Sequence, residues 1–534
     1  MQMTDGEMQP FSLTLNKFLE HAAKWHPHAE VVTGLDAGAI DRIGYAELQE
    51  RSMRTSAVFQ DLGIRCGDRV ATLAWNTRSH LEVLYGIVGM GAICHTLNPR
   101  LVCDQLAEMV MRSGARILVV SSDLAPLARE IAERSGRIDR VLVIDALNGT
   151  MVPRSGKLLV VTLEPLIGDA RSDGVTWGAF SETSPFGLCF TSGTTGAPKG
   201  VTYTHRSSYL HTLRLLQVDV MAISGADSVL AVVPMFHANA WGLPFAVPAV
   251  GAKLVLPGRH FDGETLARLI DSESVTIGVG VPTVWLGLVE HLEAHGGRLP
   301  SLKRIIMGGA PVPPALMERI EQRLGVTVQT SWGMTELSPS GTVSRYNDAA
   351  RSPDASGRPA IGVDLLITDA DGRPLPEQRG VEGHLRVRGA AVIQRYFGEE
   401  SAATDEAGWF PTGDLARLDT EGNLIIVGRA KDLIKSGGEW INPAEIEAVI
   451  GALPEVSLAA VIGRSDAKWG ERPILLVEMR ADPSISDEAL LAPLQGRVAS
   501  WWIPDTVVRL TRMPLAPTGK IDKVRLKVQY GGEQ

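Results

Sequence analysis

The stretch CFTSGTTGAPKGVTYTHR, residues 189–206, sets seven hydroxyl residues or glycines among the ten positions from Thr191 to Gly200. A single cation, Lys199, follows Pro198. The apolar run Phe186 to Phe190 leads in and reads as a strand, while Tyr209, Leu213 and Leu216 mark one face of a helix starting near Ser207. Glycines at 193, 196 and 200 let the backbone fold back and turn N–H groups inward. Thr191, Ser192, Thr194 and Thr195 add hydroxyl donors, and Lys199 adds a point charge. A polyphosphate suits such a loop. A Walker-type loop needs lysine directly after its last glycine, and here Ala197 and Pro198 intervene after Gly196. A surface linker would explain the glycines and hydroxyls but not the strand that precedes them.

Outward from the loop, strand and helix patterns alternate. Leu15, Phe18, Leu19 and Ala22 recur at helical spacing, Arg69–Ala74 reads as a buried strand and Leu81–Val88 as a helix. Ile117–Val120 and Val141–Ile144 are short β-branched runs between polar turns. Such alternation predicts an α/β fold, with parallel or mixed sheets covered by helices. After about Ser352, short strands separated by D-G, E-G and R-G turns predict a β-rich subdomain. Beyond Arg429 the pattern is mixed again, with helices near Glu445–Ala452 and Asp487–Ala499 and strands at Ala459–Ile462 and Ile474–Met479. The expected division is a large domain over 1–428, a hinge over 429–432 and a small α+β domain over 433–534.

Composition narrows the class. The chain has 534 residues, 45% hydrophobic and 21% charged, with a net charge of −9. An acidic balance of this size argues against nucleic acid or an anionic membrane as partner. The four cysteines form no C-x-x-C pair and read as reduced thiols of a cytoplasmic protein. The N-terminal MQMTDGEMQPF carries no basic-then-apolar signal. The apolar stretch Val232–Gly251 is interrupted by His237, Asn239, Pro244 and Pro248, which makes it a poor membrane span.

TSGTTGAPKG matches, residue for residue, the phosphate loop of the adenylate-forming superfamily, which includes acyl-CoA synthetases, luciferases and peptide-synthetase adenylation domains. VPMFHANAWG (233–242), MGGAP (307–311), TSWGMTE (330–336), GWFPTGDLARLD (408–419), GRAKDLIKSGGEWINPAEIE (428–447) and PLAPTGK (514–520) follow in the superfamily's order and spacing. The chain most resembles bacterial fatty-acyl-CoA synthetases and methylmercaptopropionate-CoA ligases.

The resemblance implies ATP, Mg2+ and coenzyme A, with an acyl-adenylate formed first and a thioester second. It implies Glu336 as metal ligand, Thr335 at the α-phosphate and Lys520 as the cation of the adenylation transition state. Gly309, Ala310 and Pro311 would line the adenine slot, Trp332 would stack on the base, and Asp414 and Arg429 would hold the ribose. His237, Trp241 and Gly308 map to the wall between nucleotide and acyl group. Lys431 falls at the hinge, and Lys435, Gly437, Gly438 and Trp440 fall where coenzyme A is expected. The apolar neighbours Ala238, Ala240, Leu243, Phe245 and Val247 point to an apolar monocarboxylate: a medium- or long-chain fatty acid, methylmercaptopropionate, or an aryl- or arylalkanoate. A non-catalytic nucleotide-binding regulator is the reading from another class. Relatives of this type also imply a homodimer.

Overall fold

Runs such as RVATL (Arg69–Leu73), ILVVS (Ile117–Ser121) and RIIM (Arg304–Met307) have no polar face, so each needs cover on both sides. In the computed structural model, which describes residues 6–146, 158–191, 198–348, 351–480, 485–516 and 520–532, they lie inside two large sheets. The first has seven strands in the order Leu159–Thr162, Arg140–Ile144, Ile117–Ser121, Arg69–Leu73, Ile93–Thr96, Pro185–Phe190 and Gly200–Thr204. All its neighbours are parallel except the last pair. The second has nine strands, parallel from Thr327–Gly333 through Arg304–Met307, Ile277–Gly280, Ser228–Ala231 and Lys253–Leu256 to Glu30–Gly34. Antiparallel pairs close both of its edges.

One core joins the two sheets, with Tyr45, Leu81, Tyr85, Phe186 and Phe245 all essentially inaccessible. Burying each such side chain contributes roughly 1.5–3 kcal/mol. The two tyrosines spend their hydroxyls inside it, Tyr45 donating to the Ala252 carbonyl at 2.6 Å and Tyr85 to that of Pro244 at 2.8 Å.

Val363–Thr368, Glu382–Gly389, Phe410–Leu418 and Leu424–Arg429 form the expected β-rich part, a four-stranded antiparallel sheet. A short 3-10 turn, Ala430–Asp432, follows it. Ile434 then enters a five-stranded sheet packed with helices Pro443–Gly451 and Lys523–Tyr530. Among the described residues, no helix is long and apolar enough to cross a membrane.

The structure departs from the sequence reading in two places. Between the phosphate loop and the helix expected near Ser207, a strand not expected from the sequence, Gly200–Thr204, returns antiparallel along Pro185–Phe190, so the loop tips a hairpin. The helix then begins at His205, where Thr204 and Ser207 form a reciprocal capping box. The helix expected over Asp487–Ala499 stops at Leu491, with one 3-10 turn over Ala492–Leu494. Pro493 has no N–H to continue the ladder, and Gly496, at φ 73°, turns the chain away.

Candidate active site

Open parallel sheets leave a crevice at the carboxyl ends of their strands. In the nine-stranded sheet Gly308 to Pro311 follow the strand ending at Met307, Val281 follows Gly280, and Thr335 and Glu336 follow Gly333. His237 lies beyond Ala231 on the same side. A Cβ at Gly308 would fall 2.2 Å from the Ser331 hydroxyl and 3.1 Å from the Ser331 carbonyl, so a side chain there would force that hydroxyl to turn away. The Trp241 ring lies 3.2 Å from the same point and 3.4 Å from the corresponding point at Gly309. Trp241 and Gly308 therefore share one wall.

The backbone that carries Trp241 is unusual. Ala238, Asn239, Ala240, Trp241 and Gly242 all have φ between 45° and 82°, a left-handed turn in which four of five residues carry a Cβ. Each such residue costs about 1–2 kcal/mol. The turn is buried, and the N–H groups of Ala238 and Asn239 are directed at the Cys189 thiol, which also lies 3.3 Å from the Thr96 hydroxyl. It is thereby fixed to the strand that leads into the phosphate loop. Burial pulls the His237 imidazole down to about 4, with Lys520 adding repulsion, so His237 is neutral at ordinary pH.

Asp414 is buried at the opposite side of the crevice. The Arg429 Nε lies 2.7 Å from its Oδ1, and the Trp332 indole N–H donates to its Oδ2 at 2.9 Å. Burial raises this carboxyl, and the Arg429 guanidinium works against that rise. Arg429 also donates to the Thr412 carbonyl at 3.2 Å. Each Asp414 oxygen keeps a further lone pair for a sugar hydroxyl. Trp332 does more than offer a ring: it joins the expected base slot to the expected ribose acceptor.

Lys520 enters from the C-terminal domain, its carbonyl accepting from the Ala516 N–H at 2.7 Å. Its Cε lies 4.0 Å from the point where a Gly309 Cβ would be. The crevice is open, so the side chain keeps contact with solvent. Protein nonetheless surrounds the ammonium on most sides. That desolvation, with repulsion from Arg429 opposed by Asp414 and Glu336, brings it down to about 8.

Glu336 is buried, and its Oε1 accepts from the Tyr396 hydroxyl at 2.9 Å. Among the described residues no cation is paired with it. A buried anionic oxygen without a cation fits a hard divalent ion, which Glu336 would hold together with substrate phosphates. Thr335 beside it accepts from the Tyr203 hydroxyl through its carbonyl at 2.8 Å. Thr191 and Lys199 stand at the ends of the phosphate loop, the Thr191 N–H donating to the Lys199 carbonyl at 2.9 Å. Ser192, Gly193, Thr194, Thr195 and Gly196 lie outside the described residues. Tyr396, in QRYF, was not singled out from the sequence; its Lys199 and Glu336 contacts exist only in three dimensions.

The coenzyme A residues form a separate group. Lys435 and Trp440 pair across the hairpin Ile434–Ser436 and Glu439–Ile441, whose turn contains Gly437 and Gly438 at φ 61° and 93°. Trp440 is 54% exposed, with the Lys435 ammonium 5.4 Å from its ring centre. Among the described residues, no hydrogen bond, ion pair or ring contact joins this hairpin to the group around Lys520. Lys431, in the turn between the domains, is lowered by burial.

Residues 19–397 match the family of AMP-binding enzymes, and residues 445–520 match the AMP-binding enzyme C-terminal domain. The chain is 38% identical to the 3-methylmercaptopropionyl-CoA ligase of Ruegeria lacuscaerulensis, over 98% of both chains. It is 39% identical to the medium-chain-fatty-acid–CoA ligase of Ectopseudomonas oleovorans, over 98% of this chain and 97% of that one. Among solved structures, the anthranilate CoA ligase AuaEII in complex with anthranoyl-AMP superposes with a TM-score of 0.87 at 22% identity, covering 98% of each chain, a likeness of fold. The chain belongs to the AMP-binding enzyme family and carries that family's C-terminal domain on the same polypeptide.

Proposed function

We propose that the chain is an ATP-dependent carboxylic acid–CoA ligase whose acid is an apolar monocarboxylate, a medium- or long-chain fatty acid or a methylmercaptopropionate-like acid. The carboxylate attacks the α-phosphorus of ATP and pyrophosphate leaves; the coenzyme A thiol then displaces AMP to give the thioester. A carboxylate is already anionic at neutral pH, so the first step requires in-line positioning and charge neutralisation rather than a general base. The observation that carries the reading is the convergence of Lys520, from the far end of the chain, on Gly309, Asp414 and Glu336. Lys520 bridges carboxylate and α-phosphate, Asp414 and Arg429 hold the ribose, and Thr191 and Lys199 bracket the departing pyrophosphate. A magnesium ion at Glu336 would neutralise phosphate charge. Residues 429–432 act as the hinge on which 433–534 turn to bring the Gly437–Trp440 hairpin to the thiol. The protein works as a cytoplasmic homodimer.

The acid class is supported by the names of the two relatives and by the apolar residues around Trp241. Release of AMP, measured over a panel of acids with ATP and coenzyme A present, tests the whole reading. Fatty acids and methylmercaptopropionate should support it; aryl- and arylalkanoates should do so weakly, and dicarboxylates not at all. Preference for an aromatic acid would replace the acid class, and no AMP release with any acid would remove the ligase.

A further inference from the structure

We infer that Tyr396 is a positioning residue that keeps the Lys199 cation and the Glu336 carboxylate apart and ready for magnesium-bound ATP. The inference rests on the reading of Glu336 as the metal ligand.

An exposed lysine beside a buried carboxylate that makes no close ion pair among the described residues has an obvious alternative: the two can close into an ion pair. That would satisfy both groups and leave neither for the substrate, and the pair would have to be broken on every turnover. Tyr396 stands where this would happen. Its hydroxyl donates to Glu336 Oε1 at 2.9 Å, and the Lys199 ammonium sits 4.7 Å from the centre of its ring. One side chain therefore offers the anion a donor and the cation a π face. The hydroxyl takes one lone pair of Oε1, and the carboxylate's remaining lone pairs would be the ones open to a metal.

The backbone around Tyr396 is built for the same task. The Ile393 N–H donates to the carbonyl of Glu336 itself at 2.9 Å, and the Phe397 N–H donates to the carbonyl of Gly200, next to Lys199, at 2.8 Å. The Ser338 hydroxyl adds a third tie, to the Ala391 carbonyl at 2.9 Å. Phe397 also packs on the hairpin, since a Cβ at Gly200 would meet its Cβ at 2.9 Å. Residues 391–397 thus strap the returning strand of the phosphate hairpin to the turn that carries Glu336. A tyrosine needed only for packing would not require its hydroxyl on the one carboxylate and its face under the one lysine of these two motifs.

Calorimetric titration of ATP into the full-length protein, with Mg2+ stepped from none to saturating, reads this without turnover. Tyr396→Phe keeps the ring and loses the hydroxyl. It should need about tenfold more Mg2+ to reach the half-maximal gain in ATP affinity, a charge-assisted hydrogen bond's worth, with magnesium-free affinity unchanged. Tyr396→Leu removes both contacts and should also weaken magnesium-free ATP binding by about tenfold, as Lys199 closes on Glu336. Adding Glu336→Gln to Tyr396→Leu should then restore the magnesium-free affinity, because no anion remains to hold the lysine. Circular dichroism melts confirm that each variant is folded. A Tyr396→Phe protein that follows the wild type at every Mg2+ concentration overturns the inference alone. A wild type with no magnesium-dependent gain overturns the metal reading of Glu336, and the inference with it.

Discussion

The C-terminal domain presents two regions that differ in almost every physical respect. The segment that carries Lys520 reaches into the crevice, and its ammonium feels Arg429, Asp414, Glu336 and Lys431. The hairpin that carries Gly437, Gly438 and Trp440 makes, among the described residues, no ion pair or hydrogen bond to Arg429, Asp414 or Glu336, and it leaves Trp440 54% exposed. One region is assembled and the other waits. A rigid domain offers its two regions to one crevice only in turn; on the function proposed above, this arrangement would serve the adenylate-forming step, and thioester formation would require motion about Ala430–Asp432.

The strongest way to break this division is to remove Lys520. Lys520→Ala should lower acid-dependent ATP–pyrophosphate exchange by about a thousandfold or more, as loss of a transition-state charge contact does. Thioester formation from supplied acyl-adenylate should stay near wild type. Normal exchange in this variant would detach Lys520 from the first step. The same residue predicts a pH effect with a definite sign. Lys520 is a cation below about 8 and loses its charge above it, because the crevice desolvates the ammonium. Exchange at sub-saturating ATP should be level below that pH and fall about tenfold per unit well above it. A neutral His237 in the same crevice adds no acidic limb near its ordinary value. A profile flat through pH 9 would show that the ammonium is not the titrating group.

Next in size is the hinge. Proline at position 431 would fix φ near −65° where a rotation must be absorbed. Lys431→Pro should therefore slow thioester formation by at least about tenfold while exchange changes by less than about threefold. Equal loss in both steps would mean that the substitution disturbs the crevice itself, and the turn would no longer be the pivot.

These two regions also show what a linear reading of the chain can and cannot reach. Gly308, Glu336, Asp414 and Lys520 each stand in a short contiguous motif; Gly308 and Glu336 follow strand ends, and Asp414 lies within the strand Phe410–Leu418. Local chemistry and local geometry coincide there, so the residues could be named before the fold was known. The Trp332–Asp414 bond spans 82 positions, and Tyr396 meets Lys199 across nearly two hundred. Nothing in WGMTE or QRYF announces those meetings. The left-handed turn over Ala238–Gly242 is hidden for another reason: alanine, asparagine and tryptophan do not favour that conformation, and only burial against Cys189 and the core holds them in it. The strand Gly200–Thr204 was missed because the glycine-rich loop masks its start, although VTYT is ordinary β sequence. The helix at Asp487 is shorter than its sequence suggests because Pro493 cannot continue the ladder and Gly496 turns the chain away.

The smallest effect tests the waiting region. Trp440 lies on an exposed hairpin, with the Lys435 ammonium 5.4 Å from its ring centre, so removing it should cost little stability. If the hairpin meets coenzyme A only after the domain turns, Trp440→Ala should raise KM for coenzyme A about three- to tenfold, the scale of one exposed aromatic contact. Exchange and its KM for ATP should not move, because among the described residues no hydrogen bond or ring contact joins Trp440 to Asp414, Glu336 or Lys520. This asymmetry is the sharpest form of the comparison. Lys520→Ala removes the first step and spares the second, while Trp440→Ala weakens only the second. A rise in KM for ATP with Trp440→Ala would mean that the two regions act together, and the division of labour between them would have to be abandoned.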